Sequence, residues 1–320
     1  MSNSNTIVEE EPSVSLSLQS LIDARFGVPH PSSVDIKGLS SLSGQIRGRK
    51  RGQGLEFEDL REYASGDDVR HIDWKVSARH NQLFTRLYRE EKEQRVTLVI
   101  DFRSPMFTGS NELRAVQAGK LAANLAWFEV NAGGRCGLMV QTDHEFITLP
   151  PALGDHAALA ICAEISRQFN RAKEYAASTD RPVAATNDTD HKPDNDILER
   201  LRSTGRDFGA LIVLTGLDKI NDKFKRHLQE IAVEKQMAVV QIEDAMEYTA
   251  LPEGTFRYKT GGKSIRIVLN RKQTQSLRTH LLDQYQQLDT LFRDAHVPLL
   301  RSRNGINDTR SALHQLGFLA

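Results

Sequence analysis

Three short runs, "RVTLVID" (95–101), "GALIVLT" (209–215) and "MAVVQIED" (237–244), constrain the fold of this chain more than anything else in it. A strand with one face in water alternates apolar and polar residues, whereas a run that is apolar on both faces needs cover on both sides. Helix-period stretches lie between and after these runs, at about 112–131, 155–169, 222–235 and 272–295. Buried strands alternating with helices predict an α/β fold built on a doubly wound, mostly parallel sheet. "RCGLMVQTDHEFITL" adds two strands with Thr142, Asp143 and His144 at the bend, and "SIRIVLN" and "VPLLRS" add two more. A further helix is expected near 196–203, and a last one capped by Asn307 or Asp308.

With 320 residues, 39% of them apolar, the chain can bury a full α/β core and carry one smaller appendage. Its formal net charge is zero, so no global field draws it to nucleic acid or anionic lipid. The one local basic patch, Arg47, Arg49, Lys50 and Arg51, gives way to acids from Glu56 onward and reads as a solvated or partner-facing turn. Cys136 and Cys162 have no metal-ligand spacing and read as buried thiols of a reducing compartment. The first 21 residues lack a signal peptide's basic start and apolar stretch, and no run reaches a membrane span, so a cytoplasmic protein is expected.

Three regions are expected: a tail with a short helix (1–40), a charged segment (41–94), and the α/β domain (95–320) with a mobile surface loop at 173–195. The loop reading rests on "KEYAASTDRPVAATNDTDHKPDN", which has almost no large apolar residue. In the charged segment, Glu56, Asp59, Arg61, Asp67, Asp68, Arg70, Asp73 and Arg79 interleave around Trp74. Acid and base in such close order around a tryptophan predict an ordered ion-pair lattice, with any exposed remainder suited to selecting one protein partner. Gly66 followed by two acids predicts a turn that caps a helix. "QLFTRLYREE" alternates as a strand does, and a Lys92, Glu93, Gln94 turn predicts a hairpin joining it to the run at 95–101.

In open parallel sheets ligands bind beyond the carboxyl ends of the strands, which points to Asp101, Arg103, Ser104 and Pro105, and to Thr215, Gly216 and Asp218. Around them, "GRKRGQGLEFEDLREYASGDDVRHIDWKVSARHNQLFTRLYREEKEQRVTLVID", "LAANLAWFEVNAGGRCG" and "IEDAMEYTALPEG" resemble the bacterial family called domain of unknown function 58, over residues from about 47 to 254. The resemblance implies a von Willebrand factor type A-like domain and a partnership with a MoxR-type AAA+ ATPase. Such domains hold a divalent cation with Asp-x-Ser-x-Ser, a loop threonine and a later aspartate, a hard-oxygen set suited to Mg²⁺. Here only Asp101 stands in place. Arg103 and Pro105 occupy the serine positions, Gly216 the later acidic one, and no residue is assigned as the loop threonine. A guanidinium beside Asp101 competes with a cation, so Arg103 is expected to pair with Asp101 and leave a vestigial pocket of Asp101, Arg103, Ser104, Thr215 and Asp218.

No catalytic set emerges. The histidines at 71, 80, 144, 156 and 191 have no metal spacing, and Gly261 to Lys263 lacks the flanking residues of a phosphate loop and reads as a hairpin turn. The expected function is a non-enzymatic, protein-binding adaptor or scaffold acting with the ATPase in protein or complex assembly, without cofactor or metal. The alternative is a metal-dependent binding domain or hydrolase using Asp101, Ser104 and Asp218.

Overall fold

The computed structural model describes residues 14–27, 55–80, 82–90, 95–178, 195–203, 208–217, 220–244, 247, 253–260 and 263–303. The basic patch at 46–52, Asp218, residues 179–194 of the expected loop and the last helix near Asn307 lie outside them. The chain divides into two units: Met1–Gln45 with Arg95–Ala320, and Ile46–Gln94.

The larger unit begins with helix α1 (Leu18–Asp23), capped by Ser17, whose Oγ accepts from the Ser20 N–H. The smaller unit then holds β1 (Leu55–Glu62), α2 (Trp74–His80) and β2 (Phe84–Glu90). The rest of the larger unit runs β3 (Arg95–Asp101), α3 (Arg114–Asn131), β4 (Arg135–Gln141), β5 (Phe146–Ala152), α4 (Asp155–Ser178), α5 (Asn195–Ser203), β6 (Ala210–Thr215), α6 (Asp222–Glu234), β7 (Met237–Glu243), β8 (Gly254–Thr260), β9 (Lys263–Leu269), α7 (Arg271–Asp294) and β10 (Leu299–Arg303). Six strands form one sheet in the order β10-β7-β6-β3-β4-β5, parallel throughout except for the edge strand β5. This is the doubly wound, mostly parallel sheet expected from the sequence.

Alternate side chains of the central strand serve two separate cores. Val96, Leu98 and Ile100 join α3 and α4 on one face, while Val99 joins α5, α6 and α7 on the other. The antiparallel edge β5 carries Pro150 and Pro151, which cannot donate to a further strand and so blunt that edge. α3 is small-residue rich, and Ala115, Ala118, Ala122, Ala123 and Ala126 are all fully buried because layers close on it from more than one side. One of those layers is α1, with Leu16 and Leu21 both buried in the same core. The Trp127 indole donates to the Leu21 carbonyl at 3.0 Å, and the Ser166 hydroxyl to the Leu16 carbonyl at 3.3 Å. The N-terminal helix is thus part of the α/β unit's core and not an outlying tail.

Two further expectations change. β2 does not form a hairpin with β3; it pairs antiparallel with β1, from Leu55↔Glu90 to Glu62↔Phe84. The reason is that both edges of β3 are taken, by β4 and by β6, as a strand apolar on both faces requires. Residues 173–178 are not loop, since α4 runs on to Ser178. Lys, Glu and Ala in "KEYAAS" are good helix formers, Ala172 is buried beside them, and the Lys173 ammonium donates to the Val14 carbonyl at 2.5 Å. β8 and β9 pair antiparallel, with Thr260↔Lys263 as the last register pair, while Gly261 and Gly262 of the expected turn lie outside the described residues. Among the described residues no helix is long and apolar enough to cross a membrane.

One buried group works against the fold. Glu129 on α3 is 4% exposed, and its Oε1 has no hydrogen-bond partner among the described residues. A Cβ on Gly134 would lie 2.1 Å from that oxygen, so a larger residue at the turn into β4 would have to push the Glu129 carboxyl aside. Burial pushes the Glu129 carboxyl up from 4.5 to about 7. The folded protein therefore keeps its proton while the unfolded chain ionises, and stability falls as pH rises between those two values. Glu129→Gln is expected to remove this dependence and to exceed the parent in stability by about 3 kcal/mol at pH 8, with little difference at pH 4; urea melts at both pH values measure it. Leu21→Ala is expected to cost about 2–5 kcal/mol in the same assay, whereas an outlying tail would leave the midpoint unmoved.

Candidate site at the carboxyl end of the sheet

β3 ends on Asp101, and the parallel register sets Ile100 beside Leu214 and Asp101 beside Gln141. The residue after Leu214 is Thr215, which therefore reaches Asp101 from the neighbouring strand. The Thr215 hydroxyl donates to Asp101 Oδ2 at 2.8 Å. Arg103 closes on the same carboxylate with three donors: its backbone N–H to Oδ1 at 3.0 Å, Nε to Oδ1 at 2.8 Å and Nη2 to Oδ2 at 2.6 Å. Two oxygens accept four hydrogen bonds, which uses the lone-pair capacity of a carboxylate. All three residues are buried, with Asp101 3%, Arg103 8% and Thr215 2% exposed.

Burial alone would raise the Asp101 carboxyl, but the Arg103 charge and hydrogen bonds, with Thr215, outweigh it and hold the group below its usual value. A carboxyl depressed in this way contributes stability above the unfolded value of 3.8, and that contribution is lost only as pH falls through the lower folded value. The latch is therefore closed at neutral pH.

Ser104 is turned elsewhere. Its N–H and hydroxyl both donate to Asp143 Oδ2, at 2.9 and 2.6 Å, joining the end of β3 to the bend after β4. Pro105 sits in the first turn of a short 3-10 helix, Ser104–Phe107, where its missing N–H and fixed φ fit. Thr142 binds within its own bend, its Oγ1 accepting from the Glu145 N–H at 2.9 Å. His144 lies edge-on to Tyr175, ring centroids 4.0 Å apart. Ser104 thus bonds to a carboxylate and not to an imidazole. Among the described residues no group of three or more His, Cys, Asp or Glu side chains could hold a metal.

A second polar cluster escaped the sequence reading. Glu243, at the end of β7, is fully buried and lies 3.1 Å from Arg301 and 3.2 Å from Arg303 of β10. Burial and the Glu243 charge push the Tyr285 hydroxyl up to about 12. Next to it, Asp244 accepts from the N–H and hydroxyl of Ser110 at 2.6 and 3.1 Å. The available signal was an acid ending one buried strand and arginines at alternate positions in another.

In the smaller unit the acids act first as caps. Asp67 accepts from the Ala64 N–H at 2.9 Å and from Arg61 at 2.6 Å. Asp68 accepts from the Arg70 N–H at 3.0 Å as well as from its guanidinium. Asp73 caps α2 through the Lys75 and Val76 N–H groups, at 3.0 and 3.1 Å, and takes Arg86 Nε at 3.0 Å. In all three the backbone hydrogen bond is the largest cause of a lowered carboxyl pKa, ahead of the cation. Glu56 and Asp59 lie on β1, opposite Arg89 and Leu87, with side chains outside the described set. Arg79, in the last turn of α2, is exposed and has no ion pair among the described residues. Trp74 does not pack: it is 66% exposed, and Ile72, 7% exposed, is the apolar anchor.

Removing one partner of a buried pair strands the other's charge, so Asp101→Asn and Arg103→Met are each expected to cost about 3–5 kcal/mol. The double change Asp101→Leu with Arg103→Met is expected to cost far less than the sum, as a cycle of chemical melts will show; additive costs would mean that the two side chains do not act as a unit.

Among solved structures the chain is similar to the conserved hypothetical protein BatB from Bacteroides thetaiotaomicron, at 16% identity and a TM-score of 0.40, over 70% of this chain and 97% of that one. It is also similar to the SpRpn10 VWA domain, at 10% identity and a TM-score of 0.36, over 70% of this chain and 95% of that one. No curated protein matches the sequence. The family described as "Protein of unknown function DUF58" matches residues 59–288, and the chain belongs to that family.

Proposed function

We propose that the protein is a non-enzymatic, protein-binding adaptor or scaffold that acts with a MoxR-type AAA+ ATPase in assembling other proteins. The observation that supports this reading is the saturated carboxylate at the mouth of the sheet. Asp101 has no lone pair left for a cation, Arg103 already supplies the positive charge, and Pro105 offers no oxygen. The donor set does not fit a divalent cation, which needs several open oxygen ligands. Nor does it fit general-base chemistry, because a base must be free to accept the proton it removes. What remains at the mouth is a fixed surface that can dock and not react. The ATPase comes from the family resemblance; two free, buried thiols, Cys136 and Cys162, support a reducing, cytoplasmic setting.

Calorimetric titration with Mn²⁺ and Mg²⁺ is expected to give no heat that depends on Asp101, and a chelator is expected to leave the melting temperature unchanged. Micromolar binding abolished by Asp101→Asn would replace this reading with the metal-dependent one. Capture of the purified ATPase by the immobilised protein, with and without ATP, tests the partnership. Absence of capture in both states would remove the ATPase from the proposal.

A further inference from the structure

Helix α2 of the smaller unit breaks three local rules at once. Trp74 opens it with 66% of its surface exposed, although an indole is among the side chains with most to gain from burial. Lys75 puts a cation in the first turn, where the helix dipole favours an anion. Lys75 and Arg79 stand four residues apart, so two like charges repel along one side of a short helix. Local misfits of this kind persist where a surface has another use.

The misfit residues share a face. Measured round the helix axis from Trp74, Ala78 lies at about 40°, Lys75 at about 100° and Arg79 at about 140°, and all four are exposed. The other side turns inward: Val76 is half-buried, and Ser77 is buried, its Oγ accepting from the Phe84 N–H at 2.9 Å. The Lys75 ammonium and the Arg79 guanidinium have no ion pair among the described residues. The acids near them are engaged, Asp67 by Arg61, Asp68 by Arg70 and Asp73 by Arg86, and Glu62 stands off the helix, on β1 opposite Phe84. The uncompensated charge beside the indole is thus positive.

That charge asks for an anionic occupant. A nucleic acid needs successive platforms for successive bases, and among the described side chains of this unit no Trp, Tyr or Phe but Trp74 is exposed. A bilayer needs a broad apolar face, whereas α2 exposes one large apolar side chain, with Val69 and Leu83 standing off the helix. A protein segment needs only an anchor and a charge match, and tryptophan and arginine carry much of the binding energy in such contacts. Resting on the adaptor reading, we propose that this face docks an acidic helical segment of a protein partner. Two carboxylates one turn apart, about 6 Å along the axis, meet Lys75 and Arg79, and an apolar side chain beside them lies on the Trp74 indole.

The test titrates the full chain with three fluorescent alanine-based helical peptides that share one leucine and carry glutamate, glutamine or lysine at two positions a turn apart. The glutamate peptide is expected to bind at least fivefold more tightly than the glutamine peptide in anisotropy, with the lysine peptide weakest. Iodide reports on the indole itself: Trp127 is 1% exposed, so the quenching comes from Trp74, is steeper than with caesium, and falls when the glutamate peptide is bound. Lys75→Glu with Arg79→Glu is expected to reverse the order of the peptides, and Trp74→Ala to weaken the glutamate peptide at least fivefold; all three positions are exposed, and unchanged melting temperatures check the fold. No measurable binding of the glutamate peptide, equal binding of the three, or binding indifferent to these variants overturns the inference. Tighter, variant-sensitive binding of oligothymidylate or of phosphatidylserine vesicles overturns it too, in favour of nucleic acid or lipid. The same variants are tried for ATPase capture. Capture that they leave undiminished keeps the adaptor reading and removes this face as the ATPase's dock, while peptide selectivity without any ATPase capture supports the face and removes that partner.

Discussion

The whole architecture follows from one strand that has no face to give to water. β3 offers Val96, Leu98 and Ile100 to one side and Val99 to the other, so the chain must lay helices over both faces, and both strand edges must be paired. Once β3 is central, its last residue, Asp101, is necessarily carried to the middle of the sheet's carboxyl end and out of reach of bulk water. A carboxylate in that position cannot stay charged without partners. Arg103 and Thr215 are the answer that this sequence supplies.

That answer is not a cheap source of stability. Desolvating both charges costs about as much as their attraction returns, and apolar replacements of equal volume often do as well or better in other proteins. What the pair fixes is geometry. Three of the four donors come from one residue two positions along the chain, so the backbone after β3 is tied back onto its own strand end and its direction is set. The adjoining Ser104 is then delivered to Asp143, which ties the loops after β3 and β4 together. Glu129 shows the contrasting case, a buried acid with no cation and no donor on one oxygen among the described residues, which instead holds its proton up to about pH 7.

The layer order of the sheet was legible because apolar runs and helix periods are local signals, and the Asp101–Arg103 contact was legible because its partners are two residues apart. Other features needed register. Thr215 meets Asp101, and Asp143 meets Ser104, only because β3, β4 and β6 are parallel and aligned to the residue. The charged segment misled in an instructive way: alternating signs look like ion pairs, yet Asp67, Asp68 and Asp73 bind backbone N–H groups first, as acids beside turns and helix starts do. Trp74 misled for the opposite reason, since residue type alone does not say which side of a seven-residue helix faces inward. The α1 helix was seen but not its burial, because Leu16 and Leu21 find their partners on α3 and α4, about a hundred residues or more away.

The Asp101 site reaches the second core through the residues that follow β6. Thr215 gives its hydroxyl proton to Asp101, and the same oxygen lies 3.5 Å from the Leu217 N–H. Leu217 itself has φ 55, in the left-handed region, a conformation that costs a non-glycine residue on the order of 1 kcal/mol. It is 6% exposed and packed in the second core, so burial holds it there. The strand-end carboxylate and the second core thus adjoin at one hydroxyl group, which donates to Asp101 and lies within 3.5 Å of the Leu217 N–H.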